Sequence, residues 1–195
     1  MIVEFKEAKM DYKILVWKHN LSEDEVFKWR NKGIGGSDIN ALFGTDKSIQ
    51  TLHKEKSGEK IRKSNGIFRF HMRVKDFIAE EFKIKTGMEV RRKNAILQHK
   101  EYPFLIANVD RLIVDYDAGL LCKATSNKDF ISNKKLLEPL KLRCQHYMAV
   151  TGANRWWVGL LVGGAHFHYF YVDRNEETIK QIINKSEVFW NRIEK

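Results

Sequence analysis

The stretch NVDRLIVDYDAGLLCKAT, residues 108–125, restricts what this chain can fold into more than any other. Two apolar runs flank the turn-forming set Asp115–Asp117 and predict an antiparallel β-hairpin. Successive side chains on a strand alternate faces, which puts Leu121 and Lys123 on one face and Leu120 and Cys122 on the other. Asp110, on the first run, can approach the Lys123 face across the turn. Carboxylates gathered at such a point bind Mg²⁺, and a lysine beside them stabilises charge developing on a phosphate. One Asp and one Lys also occur on many solvated hairpins, so spacing alone leaves both readings open.

Helical patterns precede this hairpin. Ser22 and Glu25 form a capping box before Val26, Phe27 and Trp29. GIGGS at 33–37 breaks that helix, and Ser37 is placed to cap a short helix, SDINALF, that stops at Gly44. KSIQTLHKEKSGEKIRKSNG reads as a short helix followed by a basic, mobile loop. Phe70, Val74, Phe77, Ile78 and Phe82 predict the apolar face of a long helix over 68–86, ended by Gly87. Strand patterns follow at MEVRR (88–92) and over the whole of FLIANVDRLIV (104–114). Pro139 suits the first turn of a helix running to Gly152. RWWVGLLV and HFHYFYV flank GGA as a second hairpin, and EETIKQIINKSEVFWNRI is an amphipathic helix. This order predicts an α/β fold, a mixed central β-sheet flanked by α-helices, in a single domain over 1–195.

Charge narrows the function classes. Thirty-five Lys and Arg against 25 Asp and Glu give a formal charge of +10, which favours a polyanion such as DNA or RNA as partner. An acidic membrane surface would exploit the same charge, yet no apolar run is long enough to span a bilayer and no secretory signal is evident. A cytoplasmic protein without membrane association is expected. Cys122 and Cys144 lack CxxC spacing and sit among apolar residues, as buried reduced thiols do. His166 and His168 have no third ligand beside them and read as sheet residues rather than a metal site. The aromatic set Trp156, Trp157, Phe167, Tyr169, Phe170 and Tyr171 is assigned to core and subunit packing.

Longer stretches carry a more specific signal. WRNKGIGGSDINALFG, DFIAEEFKIKTG, VRRKNAILQHKEYPFLIANVDRLIV, GLLCKAT, CQHYMAVTGANRWWVGLLVGG and the closing helix resemble, in order and in spacing, the YqaJ-type viral recombinase family, relatives of phage lambda exonuclease. The resemblance covers roughly residues 29–190 and leaves 1–28 as an N-terminal extension. It implies a restriction-endonuclease-like α/β core. In active relatives it implies a Mg²⁺-dependent exonuclease that degrades one strand from a double-stranded DNA end, beside a RecT-type single-strand annealing protein.

Departures from the family pattern fall on the chemistry. By the resemblance, a metal-binding Glu is expected seven residues before Phe82, where Lys75 stands. The second strand should read Leu-Glu-Cys-Lys-Thr but reads Leu120-Leu121-Cys122-Lys123-Ala124, so Leu121 replaces another metal ligand. A Gln expected four residues before Tyr147 is Arg143. Asp110, Lys123 and Tyr147 remain, as vestigial catalytic residues. One carboxylate does not furnish the octahedral oxygen shell that Mg²⁺ needs. A lysine about 5 Å away, at an effective dielectric of about 20, would repel a divalent ion by roughly 6–7 kcal/mol. A salt bridge from Lys75 to Asp110 is therefore expected to fill the vacated position, with no cofactor. Mg²⁺ or Mn²⁺ would matter only for residual activity, with Asp110 as the ligand. Asp115, Asp117, Glu80 and Glu81 are placed too far along their elements to rescue the site.

The same resemblance puts Arg30 and Ser37 at positions that hold a terminal 5′-phosphate, with Gly35 and Gly36 supplying backbone N–H groups; Arg111 and Gln145 complete the expected DNA-contacting set. An Arg beside a Gly-rich turn at a helix start makes an anion pocket, although a capping Ser and a surface Arg would share the pattern. Basic clusters at KHN (18–20), KWRNKG (28–33), KEKSGEKIRKSNG (54–66) and VRRKN (90–94), with Lys128, Lys134, Lys135 and Lys141, predict a cationic groove. Three functions fit these residues. One is a degenerate family member that binds double-stranded DNA or DNA ends without cutting. The others are an active exonuclease with an unusual metal site and a phage factor that binds a host nuclease or defence protein. Assembly into a homo-oligomer is a further implication of the lambda-type relatives.

Overall fold

A computed structural model describes residues 10–60 and 66–193, without the side chains of residues 66–69 and 71. Its helices and strands run β1 (Lys13–Trp17), α1 (Glu23–Arg30), α2 (Gly36–Leu42), α3 (Asp46–Lys56), α4 (Gly66–Thr86), β2 (Val90–Arg92), β3 (Ala95–Gln98), β4 (Ile106–Ala107), β5 (Arg111–Ile113), β6 (Ala118–Thr125), α5 (Lys134–Thr151), β7 (Arg155–Val162), β8 (His166–Asp173) and α6 (Glu176–Trp190). The larger sheet has the order β2-β5-β6-β7-β8, and only β6 and β7 pair in parallel. That pair is possible because α5 makes the crossover between them. A smaller antiparallel sheet has the order β1-β3-β4.

Alternation along β6 divides its side chains between two cores. Leu120 and Cys122 pack under α4 with Ile78, Ala79 and Phe82. Leu121 joins the core under α5, with Cys144, Tyr147, Trp156 and Val158. Every residue of α5 from Cys144 to Thr151 is buried, so this helix is the centre of the molecule rather than a surface element. Cys122 and Cys144 are free, buried thiols. Among the described residues no helix is long and apolar enough to cross a membrane.

Both predicted hairpins form. Asp115 takes φ 62° in the first, a left-handed conformation that Asp tolerates better than most residues. Ser22 and Glu25 bond reciprocally at the start of α1, as a capping box does.

Other expectations change. FLIANVDRLIV is not one strand: β4 pairs with β3, β5 pairs with β2 and β6, and Asn108–Asp110 bridges the two sheets. The continuous apolar run gave no break signal because both sheets bury their share of it. Residues 13–17 and 95–98, not read as strands, pair as β1 and β3, so the N-terminal segment supplies an edge strand. Ser37 does not cap α2 but lies in its first turn, behind Gly35. Pro139 lies inside α5, which starts at Lys134 behind an Asn133 cap. It is exposed there, so water can replace the hydrogen bond that proline cannot donate. Phe70 and Phe77, counted toward the buried face of α4, are 65% and 51% exposed. Residues 61–65 of the expected basic loop lie outside the described residues.

Candidate nucleic-acid interface

Where the chain passes from the small sheet to the large one, Asn108–Asp110 line a cleft of about 310 Å³. Seven Lys and Arg residues line it against two Asp, Asp38 and Asp110, so its walls present net positive charge to solvent.

Asp110 has no free oxygen. Its Oδ1 accepts from Lys75 Nζ at 2.7 Å, and its Oδ2 accepts from the Cys122 backbone N–H at 2.9 Å. Burial would push this carboxyl up. The charges of Lys75 and Arg143 and the two hydrogen bonds outweigh it and hold the group below the usual carboxylate range. Leu121 is 1% exposed and belongs to the apolar core. This donor set does not fit a divalent cation: both carboxylates of the cleft, Asp110 and Asp38, are already bonded to an ammonium group and to a backbone N–H. Among the described residues no group of three His, Cys, Asp or Glu gathers as metal ligands. Asp115, Asp117, Glu80 and Glu81 do not line the cleft.

Beside that pair, Arg143 Nε donates to the Tyr147 hydroxyl at 2.7 Å, with its guanidinium 5.3 Å from the ring centroid. Burial raises the Tyr147 hydroxyl to about 12, against the pull of Arg143, so the phenol stays neutral. Lys18 Nζ donates to Asn108 Oδ1 at 2.6 Å. Burial lowers Lys18 to about 8; Asp110 opposes this, and Lys75, Arg30 and Arg92 add to it. Lys123 is exposed and outside the cleft lining. Lys128, Lys134, Lys135 and Lys141 also lie outside the cleft lining.

The Gly33–Ser37 loop forms the opposite wall. It is pinned to β4 and its approach by Ile34 N–H to the Phe104 carbonyl (2.7 Å) and Ile106 N–H to the Ile34 carbonyl (3.0 Å). A Cβ on Gly33 would meet the Phe104 carbonyl at 2.8 Å, and one on Gly36 would meet the Tyr147 ring at 2.7 Å, so glycine is required by close approach at both. Asp38 ties the loop internally, accepting from Gly35 N–H at 2.9 Å and from Lys56 Nζ at 2.7 Å. Lys56 Nζ also donates to the carbonyls of Arg30 (3.0 Å) and Gly33 (2.7 Å). Arg30 Nη2 reaches Ser37 Oγ at 3.3 Å. Arg30, Gly35, Gly36 and Ser37 therefore share one wall, although the Gly35 N–H, expected as a phosphate donor, is already given to Asp38.

Two expected DNA contacts are committed elsewhere. Gln145 is buried away from the cleft, bonding the Asp173 carbonyl at 2.7 Å and the Asn175 N–H at 2.9 Å. Arg111 does line the cleft, but it is 5% exposed and engaged by the Asp110 carbonyl and the Asp76 carboxylate. Sequence reading missed the positions of Lys18, Asn108 and the Asp38–Lys56 pair. The only signal for Lys18 was its basic neighbourhood, because its reach depends on β1 joining the small sheet.

A mixed sheet with helices on both faces and this cleft at the sheet junction define a restriction-endonuclease-like nuclease fold. Solved structures with the same fold include the alkaline exonuclease LHK-Exo from Laribacter hongkongensis, at TM-score 0.74 and 17% identity, covering 87% of this chain and 92% of that one. A phage-related exonuclease from Haemophilus somnus 129PT matches at TM-score 0.65 and 9% identity, over 83% and 94% of the two chains. The chain belongs to the YqaJ-like viral recombinase domain family, whose model matches residues 25–154. It is 36% identical over 187 residues to the uncharacterized protein YqaJ of Bacillus subtilis (strain 168), spanning 91% of this chain but 58% of that protein's length.

Proposed function

We propose that this chain binds an end of double-stranded DNA without cutting it, holding a 5′-phosphate at Arg30, Gly35, Gly36 and Ser37. The observation that carries this reading is the Lys75–Asp110 pair at 2.7 Å, with Leu121 beside it in the core. Hydrolysis of a phosphodiester by a metal-dependent site requires a divalent ion held by carboxylates, and here a lysine holds the carboxylate instead. Family membership supports DNA as the substrate class, and the cationic cleft supports a phosphate backbone as ligand.

Incubation with linear duplex DNA in Mg²⁺ or Mn²⁺ is expected to yield no digestion. In anisotropy titrations a 5′-phosphorylated duplex is expected to bind, and three phosphate contacts would weaken it about fortyfold between 50 and 200 mM salt. Robust metal-dependent digestion that Asp110→Ala abolishes would establish the active exonuclease instead. Affinity that is flat in salt would sink the DNA reading and favour a protein partner such as a host defence factor.

A further inference from the structure

Lys18 precedes the family-matched residues 25–154, yet its amine lines the floor of the cleft, held there by Asn108 Oδ1 at 2.6 Å. The other cations of the cleft divide by what neutralises them. Lys75 has Asp110, while Arg92 and Arg111 share Asp76. Among the described residues, Lys18, Lys93 and Arg143 have no carboxylate within ion-pair distance, and Lys93 lies over the Tyr12 and Trp17 rings instead. Arg143 spends Nε on Tyr147, and its two Nη groups have no protein acceptor among the described residues. Both side chains are within electrostatic reach of Asp110, whose oxygens are already taken. The stem of Arg143 also packs against Gly36, since a Cβ there would lie 3.0 Å from Arg143 Cγ. It therefore adjoins the Arg30–Ser37 wall.

Cations in folded proteins are ordinarily paired with a carboxylate or fully exposed. Lys18 and Arg143 are neither: both are half-buried, and both open onto one cleft. We propose that Lys18 and Arg143 form a second phosphate subsite beside the Arg30–Ser37 cradle, taking the phosphodiester next to the terminal phosphate. The assignment rests on the DNA-end reading above and deepens it: the ligand is an end carrying at least two consecutive phosphates. A guanidinium offering two N–H groups and a compact ammonium divide the work, one orienting the phosphate oxygens and the other supplying charge. Lys75 takes no part, because Asp110 already holds it.

The test compares a 5′-phosphorylated duplex and inorganic pyrophosphate, each titrated against wild type, Lys18→Met and Lys18→Arg, with thermal melting as the folding control. Lys18→Met is expected to weaken both ligands about tenfold and to reduce the salt slope for duplex by about 0.9, one phosphate contact, while Lys18→Arg keeps the slope. A measurement that needs no variant is acylation of Lys18 near pH 8 followed by mass spectrometry, where pyrophosphate is expected to protect it. Wild-type affinity and slope in Lys18→Met, or acylation at the same rate with and without pyrophosphate, overturns the subsite. If Lys18-dependent pyrophosphate binding occurs without duplex binding, the subsite stands and the DNA-end reading falls. If wild type binds neither, both fall.

Discussion

At the Asp110 end of the cleft the ligand-binding capacity is used up inside the protein, with one carboxylate bonded to Lys75 and to the Cys122 backbone. At the Gly33–Ser37 end donors still face the cleft, and buried bonds from Asp38 and Lys56 hold the wall that carries them. The contrast reflects what each end is made of. A divalent metal centre depends on a few carboxylate side chains, and at this end Lys75 and Leu121 supply none. The opposite wall depends on glycine backbone and a bridge to β4, which the fold itself maintains. On the function proposed above, binding and cutting are separable within a single cleft.

The contrast can be broken most directly at Lys75. Lys75→Met strands Asp110 as a buried carboxylate and is expected to cost about 3 kcal/mol in a urea unfolding experiment, with most of it recovered by adding Asp110→Asn. A loss below about 1 kcal/mol would mean that the pair is not what fills the old metal position.

Acid should strain the molecule next. His146 is fully buried beneath β4, bonded to the Ile106 carbonyl, and burial lowers it to about 4. The unfolded chain takes up that proton first, near pH 6.5, so the stability contributed by neutral His146 is complete above about 6.5 and declines as pH falls toward 4. The full decline amounts to roughly 3 kcal/mol. Asp117, raised to about 6 by burial, works in the opposite direction over the same range and reduces the net loss. Asp38 and Asp110, both held below the carboxylate range against the effect of burial, add a further loss below about pH 4. His146→Gln should raise the unfolding midpoint at pH 4.5 relative to that at pH 7, compared with wild type; an unchanged difference would exclude His146 as a source of acid lability.

Smaller effects separate the two ends. Lys56→Ala combined with Asp38→Asn, which leaves no buried carboxylate stranded, unties Arg30 and Gly33 and should lower the preference for 5′-phosphorylated over 5′-hydroxyl duplex about tenfold, or about 1.4 kcal/mol, without altering the Lys75–Asp110 double-mutant cycle. Retained preference would show that the glycine backbone alone holds the cradle. Ser37→Ala removes one hydroxyl acceptor of Arg30 and should weaken phosphorylated duplex about threefold, or about 0.7 kcal/mol, in the same anisotropy assay.

Much of this was legible along the chain. Local patterns decide turns and caps, so both hairpins, the α1 capping box and the Gly87 and Gly152 helix ends could be read directly. That Lys75 and Leu121 are not carboxylates was equally visible, because identity at a position is a property of sequence. So was the Lys75–Asp110 pair, because the resemblance puts Lys75 where a ligand sharing a metal with Asp110 is expected. Residues whose role depends on distant partners were not legible. Arg111 and Gln145 looked like contacts for DNA until Asp76 and the Asp173–Asn175 backbone claimed them.

Sequence by itself therefore determined the α/β class, the family and the absence of the expected metal ligands at 75 and 121. Only the tertiary structure decided that one apolar run divides between two sheets, that Lys18 reaches the cleft floor, and that Lys56 braces the glycine loop. The physical reason is the range of the forces involved. Periodicity and turn chemistry act over a few residues. The partner of a buried charge is chosen by chain segments far apart in sequence, as with Lys18 and Asn108, 90 residues apart.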